Sequence, residues 1–214
     1  MNENSDESPV IRLTARGMKT RTRIVAAAAD LMRVQGIGGT TLDDVMVASG
    51  ASKSQLYRHF EDKDALVRAV ITHVGEFVIV RETNMLGTVS TLAGLRRWRD
   101  SLIKANALRH GMYGCALGSL AGEVSDHDAV ARNMLDELFR AWQRLIDDAL
   151  GRMKRAGVLD DSVDTSRLAV GFLASVQGGY LLAQTARDVE PMAIAIDVAI
   201  AHLESLAAPD RAAS

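Results

Sequence analysis

Apolar residues recur at intervals of three and four positions along most of this 214-residue chain, which is the spacing of one face of an α-helix. The clearest stripe follows Asp126 and includes Leu135, Leu138, Trp142 and Leu145. No segment shows the convincing two-residue alternation of a β-strand. The pattern predicts nine helices, over residues 18–35, 41–49, 53–60, 63–83, 91–109, 117–123, 126–156, 164–186 and 191–206.

Capping residues and glycines set the limits of the short helices near the N-terminus. A glycine-rich segment at 36–39 ends the first helix, and Thr41 with Asp44 three positions later opens the second. Gly50 then breaks the chain, and Ser52 can cap a third helix. This order predicts a helix, a tight turn and a second helix between residues 41 and 60.

One uncharged stretch imitates a membrane span. Residues 168–186 contain no charged side chain over 19 positions, close to the roughly 20 that cross a bilayer. Ser175, Gln177 and Gln184, together with three glycines, make the stretch too polar for a lipid environment. It predicts a helix buried on most sides, and we expect no membrane partner.

Composition narrows the fold class further. The chain is 48% hydrophobic and 24% charged, as in a globular protein, and 3 prolines with 4% aromatic residues are too few for a turn-rich β-sandwich. The only cysteine, Cys115, excludes an internal disulfide and a multi-thiolate zinc site. Because residues 1–9 are acidic and polar, they predict a disordered tail and no signal peptide, and we expect a cytoplasmic protein.

Residues 41–60 have the pattern of a helix-turn-helix. In this motif the first helix crosses the DNA backbone and the second places side chains in the major groove. Apolar residues at Val45, Ala48, Leu56 and Phe60 are spaced to pack the two helices together. The second helix then exposes side chains suited to phosphates and base edges, namely Lys53, Ser54, Gln55, Tyr57, Arg58 and His59.

These first sixty-odd residues resemble the N-terminal domain of the TetR family of bacterial transcription repressors. The resemblance is carried by Ile24 to Ala27, Leu31, Gly36, Thr40, Thr41, Val45, Ala48, Gly50, Ser52, Lys53, Leu56, Tyr57, Phe60 and Lys63 to Leu66. It implies an all-α fold in which a three-helix helix-turn-helix DNA-binding domain at 10–64 joins a helical ligand-binding and dimerisation domain at 65–208. Tails at 1–9 and 209–214 flank them.

The resemblance also implies which side chains contact double-stranded DNA. Phosphate contacts fall to Thr41, Lys53, Tyr57, His59 and Lys63, and base contacts to Ser54, Gln55 and Arg58. A plainer interpretation exists for several of them. Tyr57 could pack its ring and His59 could be a solvated surface residue, while Thr41 caps its helix in either case.

For the second half, the resemblance implies a small-molecule pocket and a homodimer face, with ligand binding releasing DNA. The last two predicted helices are apolar on too many sides for one subunit, so meeting their twofold copies would bury the excess. Residues 114–123, 177–179 and 183–184 are similar to an LmrA/YxaF-type subgroup, which implies a lipophilic effector. No cofactor is expected.

Candidate pocket residues are the larger apolar and polar side chains of the predicted C-terminal helices. Tyr113, Gln177 and Tyr180 are the expected polar anchors in an apolar cavity. Cys115 could sense redox state, but a lone cysteine in an apolar stretch is usually inert. The full set is Trp98, Leu102, Met112, Tyr113, Cys115, Leu120, Trp142, Phe172, Val176, Gln177 and Tyr180.

Other function classes fit less well. The glycines at 36–39 follow a helix, whereas a dinucleotide-binding turn follows a strand. His110, Cys115, Glu123 and His127 match no zinc spacing, so neither an enzyme nor a metal site is predicted. An all-helical interaction module without DNA binding, or a transcriptional activator of the same fold, stays open as an alternative.

The net charge of −2 hides a segregated distribution. Between Val10 and Phe60 there are eight basic residues and three acidic ones, a local charge of +5. The acidic first residues and the cluster at 61–64 mask this excess in the total. A dimer would present the basic segment twice, so the charge pattern favours a salt-dependent interaction with DNA.

Overall fold

A computed structural model describes residues 14–208, and all nine predicted helices are observed in that range. The tails predicted at 1–9 and 209–214 lie outside the described residues. Within 14–208 the only β pairing is an isolated bridge between Leu159 and Ala207, so the all-α prediction is confirmed. The helices are α1 (Ala15–Gly39), α2 (Leu42–Ser49), α3 (Lys53–His59), α4 (Lys63–Leu86), α5 (Leu92–Ala107), α6 (Ala116–Val124), α7 (Ala129–Arg155), α8 (Thr165–Ala186) and α9 (Glu190–Ser205).

The first three helices share a small core. Ile24 of α1, Val45 of α2 and Leu56 of α3 are fully buried, and Phe60 closes the core after α3. Ala48, which the sequence predicted to pack between α2 and α3, is exposed instead. Ala51 is buried in the turn, because Gly50 adopts φ 62° and reverses the chain one residue earlier.

α1 contains a sharp kink near its C-terminal end. The sequence predicted the helix to stop at residue 35, but helical structure continues to Gly39 past a break at Gly36, whose φ is 77°. Only glycine adopts this left-handed region without strain. The Thr40 hydroxyl donates to the Gly36 carbonyl at 2.7 Å, which holds the last turn against the helix.

α4 is the helix that packs against both halves of the molecule. Asp62 caps its start by accepting a hydrogen bond from the Ala65 amide at 2.7 Å, and the helix runs three residues past its predicted end. It lies along α1 at one side and α7 at the other. Gly75 allows the close approach to α7, since a Cβ there would lie 2.5 Å from the Leu138 methyl groups.

A buried carboxylate joins α4 to α5. Glu82 is completely buried and accepts a hydrogen bond from Trp98 Nε1 at 2.7 Å. Its other oxygen accepts from Arg81 Nε at 2.8 Å. Trp98 also packs against the Phe172 ring of α8, with centroids 5.7 Å apart.

α8 and α9 form the antiparallel pair at the C-terminal end. Gly179 brings them together, because a Cβ at that position would lie 3.0 Å from the Met192 Cα. Their outer faces leave large apolar side chains exposed, namely Val170, Leu181, Leu182, Ile194 and Val198. No helix between residues 14 and 208 is long and apolar enough to cross a membrane.

The two buried tryptophans give a matched test of the Glu82 hydrogen bond. Trp98 Nε1 has Glu82 as its acceptor, whereas Trp142 Nε1 has no partner among the described residues. Both substitutions to Phe remove the same volume, but only Trp98→Phe takes a donor from a buried carboxylate. We expect Trp98→Phe to lower the free energy of unfolding by about 1–3 kcal/mol more than Trp142→Phe.

Urea denaturation followed by circular dichroism, at equal protein concentration for both variants, measures the difference. Equal losses of stability in the two variants would show that the hydrogen bond contributes nothing beyond packing.

Candidate nucleic-acid interface and ligand cleft

Reciprocal caps fix the starts of α2 and α3. Thr41 Oγ1 accepts from the Asp44 amide at 3.1 Å, and Asp44 Oδ2 accepts from the Thr41 amide at 2.9 Å. The hydrogen bonds to Thr41 hold the pKa of Asp44 below its usual value. Ser52 and Gln55 make the same pair of contacts at α3, at 3.3 Å and 2.9 Å. These local bonds set the angle of the chain into both helices.

α3 presents a polar face on which none of the other helices between residues 14 and 208 packs. Five of its predicted contact residues, Lys53, Ser54, Gln55, Tyr57 and Arg58, are exposed. The Tyr57 ring is 47% exposed, and the Lys53 ammonium lies 5.9 Å from its centroid. The ring therefore does not pack into the core. Thr41 is also exposed, and Lys63 is half-buried at the start of α4.

His59 differs from its neighbours on α3. Its Nδ1 atom is buried without a hydrogen-bond partner in the described part of the chain. Burial lowers the pKa of His59, and the charges of Arg58 and Arg21 lower it further. The imidazole is thus neutral at pH 7 and offers a hydrogen bond, not a positive charge, to an anion.

Further positive charge lies on α1. Arg16, Lys19 and Arg23 are exposed, and they form no ion pair with any carboxylate of residues 14–208. Arg21 instead covers the Phe60 ring at 5.3 Å. The basic excess that the sequence predicted is therefore available to solvent on the first helix as well as on α3.

A cleft of about 310 Å³ lies where α1, α4, α5, α6 and α8 meet. Four of the predicted pocket residues line it: Tyr113, Cys115, Leu120 and Tyr180. The remaining wall is formed mainly by residues that the sequence did not nominate. They are Ala29, Asp30, Met32, Arg33, Val70, His73, Val74, Phe77, Val78, Arg81, Ala105, Asn106, Arg109, Gly114, Ala116, Ser119 and Glu123.

The other seven predicted pocket residues lie elsewhere. Trp98, Leu102, Trp142 and Val176 are buried in the core and do not line the cleft. Gln177 lies beside Gly118 and outside the cleft. Met112 lines a neighbouring cavity, and Phe172 lines a groove between α8 and α9.

Three of the polar groups that line the cleft are Arg81 of α4, Tyr180 of α8 and Cys115, which directly precedes α6. The Arg81 guanidinium, whose side chain is 34% exposed, reaches the cleft while it pairs with the buried Glu82. Burial lowers the pKa of Arg81, but the charge and hydrogen bond of Glu82, together with Tyr180 and Cys115, outweigh it and raise the pKa. Burial raises the pKa of Tyr180 to about 12 and also raises the pKa of Cys115. Tyr180 and Cys115 are therefore neutral at pH 7, and this cysteine has little thiolate character.

A loop of unusual backbone conformation closes one side of the cleft. His110, Gly111, Tyr113 and Gly114 all have positive φ. Position 111 accommodates only glycine, because a Cβ there would lie 2.5 Å from the Ala183 carbonyl oxygen. The loop places the Tyr113 ring under the Arg33 guanidinium of α1, at 4.8 Å.

Among residues 14–208, no group of three or more His, Cys, Asp or Glu side chains could hold a metal ion. The arrangement thus offers two distinct surfaces: a basic helix face and a mixed apolar and polar cleft.

Comparison with protein families and known proteins gives matches over both regions. The model of bacterial regulatory proteins of the tetR family matches residues 24–70. The model of the C-terminal domain of LmrA/YxaF-like transcriptional regulators matches residues 91–198, half of the chain.

Individual relatives are similar over most of their length. An uncharacterised HTH-type transcriptional regulator of Lactococcus lactis is 27% identical and covers 79% of this chain and 86% of its own length. The HTH-type transcriptional regulator LmrA of Bacillus subtilis is 25% identical, and the match covers 81% of this chain and 90% of the length of LmrA. A TetR transcriptional regulator structure from Chloroflexus aurantiacus superposes with a TM-score of 0.79 at 27% identity, over 91% and 98% of the two chains.

Proposed function

The chain belongs to the TetR family of bacterial transcription regulators and has an LmrA/YxaF-like C-terminal domain, and on that premise we propose a ligand-responsive repressor. It binds a palindromic operator as a homodimer and is released by a lipophilic small molecule. The exposed polar face of α3, which begins at the Ser52 cap and is left uncovered by the other helices of residues 14–208, is the observation that carries the proposal. The family and the relatives are transcriptional regulators, not enzymes.

The side chains of α3 support its assignment as the reading helix, that is, the helix that enters the major groove of DNA. Lys53 at its first turn supplies a positive charge for a phosphate, and the exposed Tyr57 hydroxyl supplies a hydrogen bond. Ser54, Gln55 and Arg58 are left for base edges. Thr41 at the start of α2, Lys63 at the start of α4 and the neutral His59 complete the proposed contacts with the DNA backbone.

Dimerisation through α8 and α9 is supported by their exposed apolar side chains. Val170, Leu182 and Val198 are more than half exposed in the single chain. A twofold axis would pack α8 and α9 against the same two helices of the partner and remove these side chains from water. Two reading helices are also needed to contact half-sites about 34 Å apart on DNA.

The cleft supports an apolar ligand that carries a hydrogen-bond acceptor. Val74, Phe77 and Leu120 give it an apolar wall, and its volume is at the lower end for small-molecule sites. Arg81 has its charge balanced by Glu82, yet its guanidinium reaches the cleft as a donor. Because α1 and α4 both line the cleft, an occupant would touch the proposed DNA-binding domain directly.

Two substitutions on α3 test DNA binding. Lys53→Ala removes a proposed phosphate contact, and Tyr57→Ala removes a proposed hydrogen bond. Each variant is expected to bind the DNA upstream of the gene that encodes this protein about tenfold more weakly than the wild type does. Lys53→Ala should also reduce the slope of log affinity against log salt by about one per lost contact. Mobility-shift titrations over a salt series measure both effects.

Lys104→Ala, at an exposed lysine of α5, is the matched control and should bind like the wild type. Unchanged affinity in both the Lys53 and the Tyr57 variants would refute the assignment of α3 as the reading helix.

A charge on α8 tests the dimer face. Leu182→Glu places carboxylates near the proposed twofold axis, where they would lose solvent and repel each other. We expect this variant to be a monomer at micromolar concentration in analytical ultracentrifugation, with the wild type a dimer. Val130→Glu changes an exposed apolar residue of α7 and should leave the dimer intact. A monomeric wild type would defeat the dimer proposal.

A bulky side chain in the cleft tests the effector site. Thermal-shift screening of lipophilic compounds should find ligands that raise the melting temperature of the wild type, because they bind the folded state. Ala105 lines the cleft and is exposed, so Ala105→Trp should abolish this shift. Ala107→Trp, on the same helix but outside the cleft, should retain it. Equal shifts in both variants would place the ligand elsewhere.

A further inference from the structure

Glu123 contacts two parts of the molecule that are remote in sequence. It projects from α6 and lines the cleft. Its Oε2 atom accepts hydrogen bonds from the Ile37 amide at 2.7 Å and the Gly38 amide at 3.3 Å. One carboxylate therefore belongs both to the wall of the cleft and to the C-terminal end of α1.

The kink in α1 creates the need for this acceptor. With φ 77° and ψ 167°, Gly36 leaves the helical region, and the regular i−4 hydrogen-bond pattern is interrupted there. The carboxylate fits closely, since a Cβ on Gly36 would lie 3.1 Å from Glu123 Oε2. Without Glu123, these amides would be held only by the turn itself and by water.

The segment held by Glu123 leads directly into the helix-turn-helix. The Thr40 amide donates to the Ile37 carbonyl at 3.2 Å, and the next residue, Thr41, caps α2. Only two residues separate the Gly38 amide from Thr41. A displacement at the kink is thus transmitted to the start of α2 through a short stretch of chain that its own hydrogen bonds stiffen.

We propose that Glu123 is the positioning residue that couples the cleft to DNA binding. While its carboxylate holds the Ile37 and Gly38 amides, the junction between α1 and α2 keeps the arrangement that places the helix-turn-helix on DNA. A cleft occupant that displaces the carboxylate frees this junction and weakens DNA binding. The proposal rests on the proposed function and assigns its regulation to one side chain.

The surroundings of Glu123 leave it able to move. Its side chain is exposed, and it forms no ion pair with a cation of the described chain. By contrast, the Arg68 to Asp128 pair ties α4 to the start of α7, away from the kink. The Arg33 to Tyr113 contact is a second link from the cleft to α1, but it does not reach residues 36–41.

Substitution of Glu123 tests the positioning role without any ligand. Glu123→Ala should lower affinity for the upstream DNA about fivefold or more, within the range of known coupling energies. Hydrogen exchange at Ile37 and Gly38 should become faster, while the core of α7 stays protected. Glu123→Gln keeps an acceptor oxygen and should recover most of both losses, and Glu137→Ala, at an exposed glutamate of α7, is the control.

DNA affinity of Glu123→Ala equal to that of the wild type would overturn the proposal. Absence of DNA binding by the wild type is a different result, because it contradicts the proposed function. In that case the exchange rates at Ile37 and Gly38 still show whether the carboxylate holds the kink.

A lipophilic fluorescent probe, N-phenyl-1-naphthylamine, tests the release step. If occupancy must break the Glu123 contacts, Glu123→Ala should bind the probe more tightly than the wild type, because the variant has no such contacts to lose. In the wild type, the probe should speed exchange at Ile37 and Gly38. Unchanged exchange at both amides with saturating probe would overturn the release step.

Discussion

A fully buried carboxylate constrains much of the C-terminal half. Removing an ionised group from water costs several kcal/mol unless it is paired and hydrogen-bonded, so Glu82 requires the two donors that it has. One donor, Trp98, fixes α5 against α4 and brings its ring onto Phe172 of α8. The other, Arg81, must lie close to Glu82 yet reaches the cleft. The same interaction therefore sets helix packing and supplies the polar base of the cleft.

The α4 helix connects the two candidate sites through its continuity. Lys63 at its first position lies at the proposed DNA surface, and Arg81, eighteen residues later, lies at the cleft. A continuous helix of this length transmits a tilt from one end to the other. The kink at Gly36 gives α1 the opposite property, because the end of that helix depends on a side chain from α6. Two helices thus connect the same two surfaces: α4 does so as one continuous helix, whereas the end of α1 keeps its position only while Glu123 binds it.

Periodicity predicted the helices well because the core-facing side of each helix is apolar over several turns. It failed at two helix ends. α1 continues past Gly36, where a tertiary contact from Glu123 binds the next two amides, and α7 begins after its local cap Asp128, not at 126. The polar face of α3 was predictable since its caps are local. The cleft was not, because a buried Trp142 and a cleft-lining Leu120 look alike in sequence. The adjacent charged residues Arg81 and Glu82, which follow an apolar stretch of α4, were the feature of the sequence that could have indicated the cleft.

The cap of α3 restricts how the proposed reading helix can recognise bases. Gln55 is suited to adenine because its amide offers one acceptor and one donor together. Its acceptor oxygen is already bound to the Ser52 amide at 2.9 Å. Reading adenine with both groups would require this oxygen either to accept a second hydrogen bond in the orientation that the cap sets or to give up the cap, and lost caps cost about 0.5–2 kcal/mol. If the cap is kept, the amide donor of Gln55 is the group that stays unbound, and it fits acceptors such as guanine O6 or thymine O4. Specificity at this position is therefore tied to the stability of α3 itself.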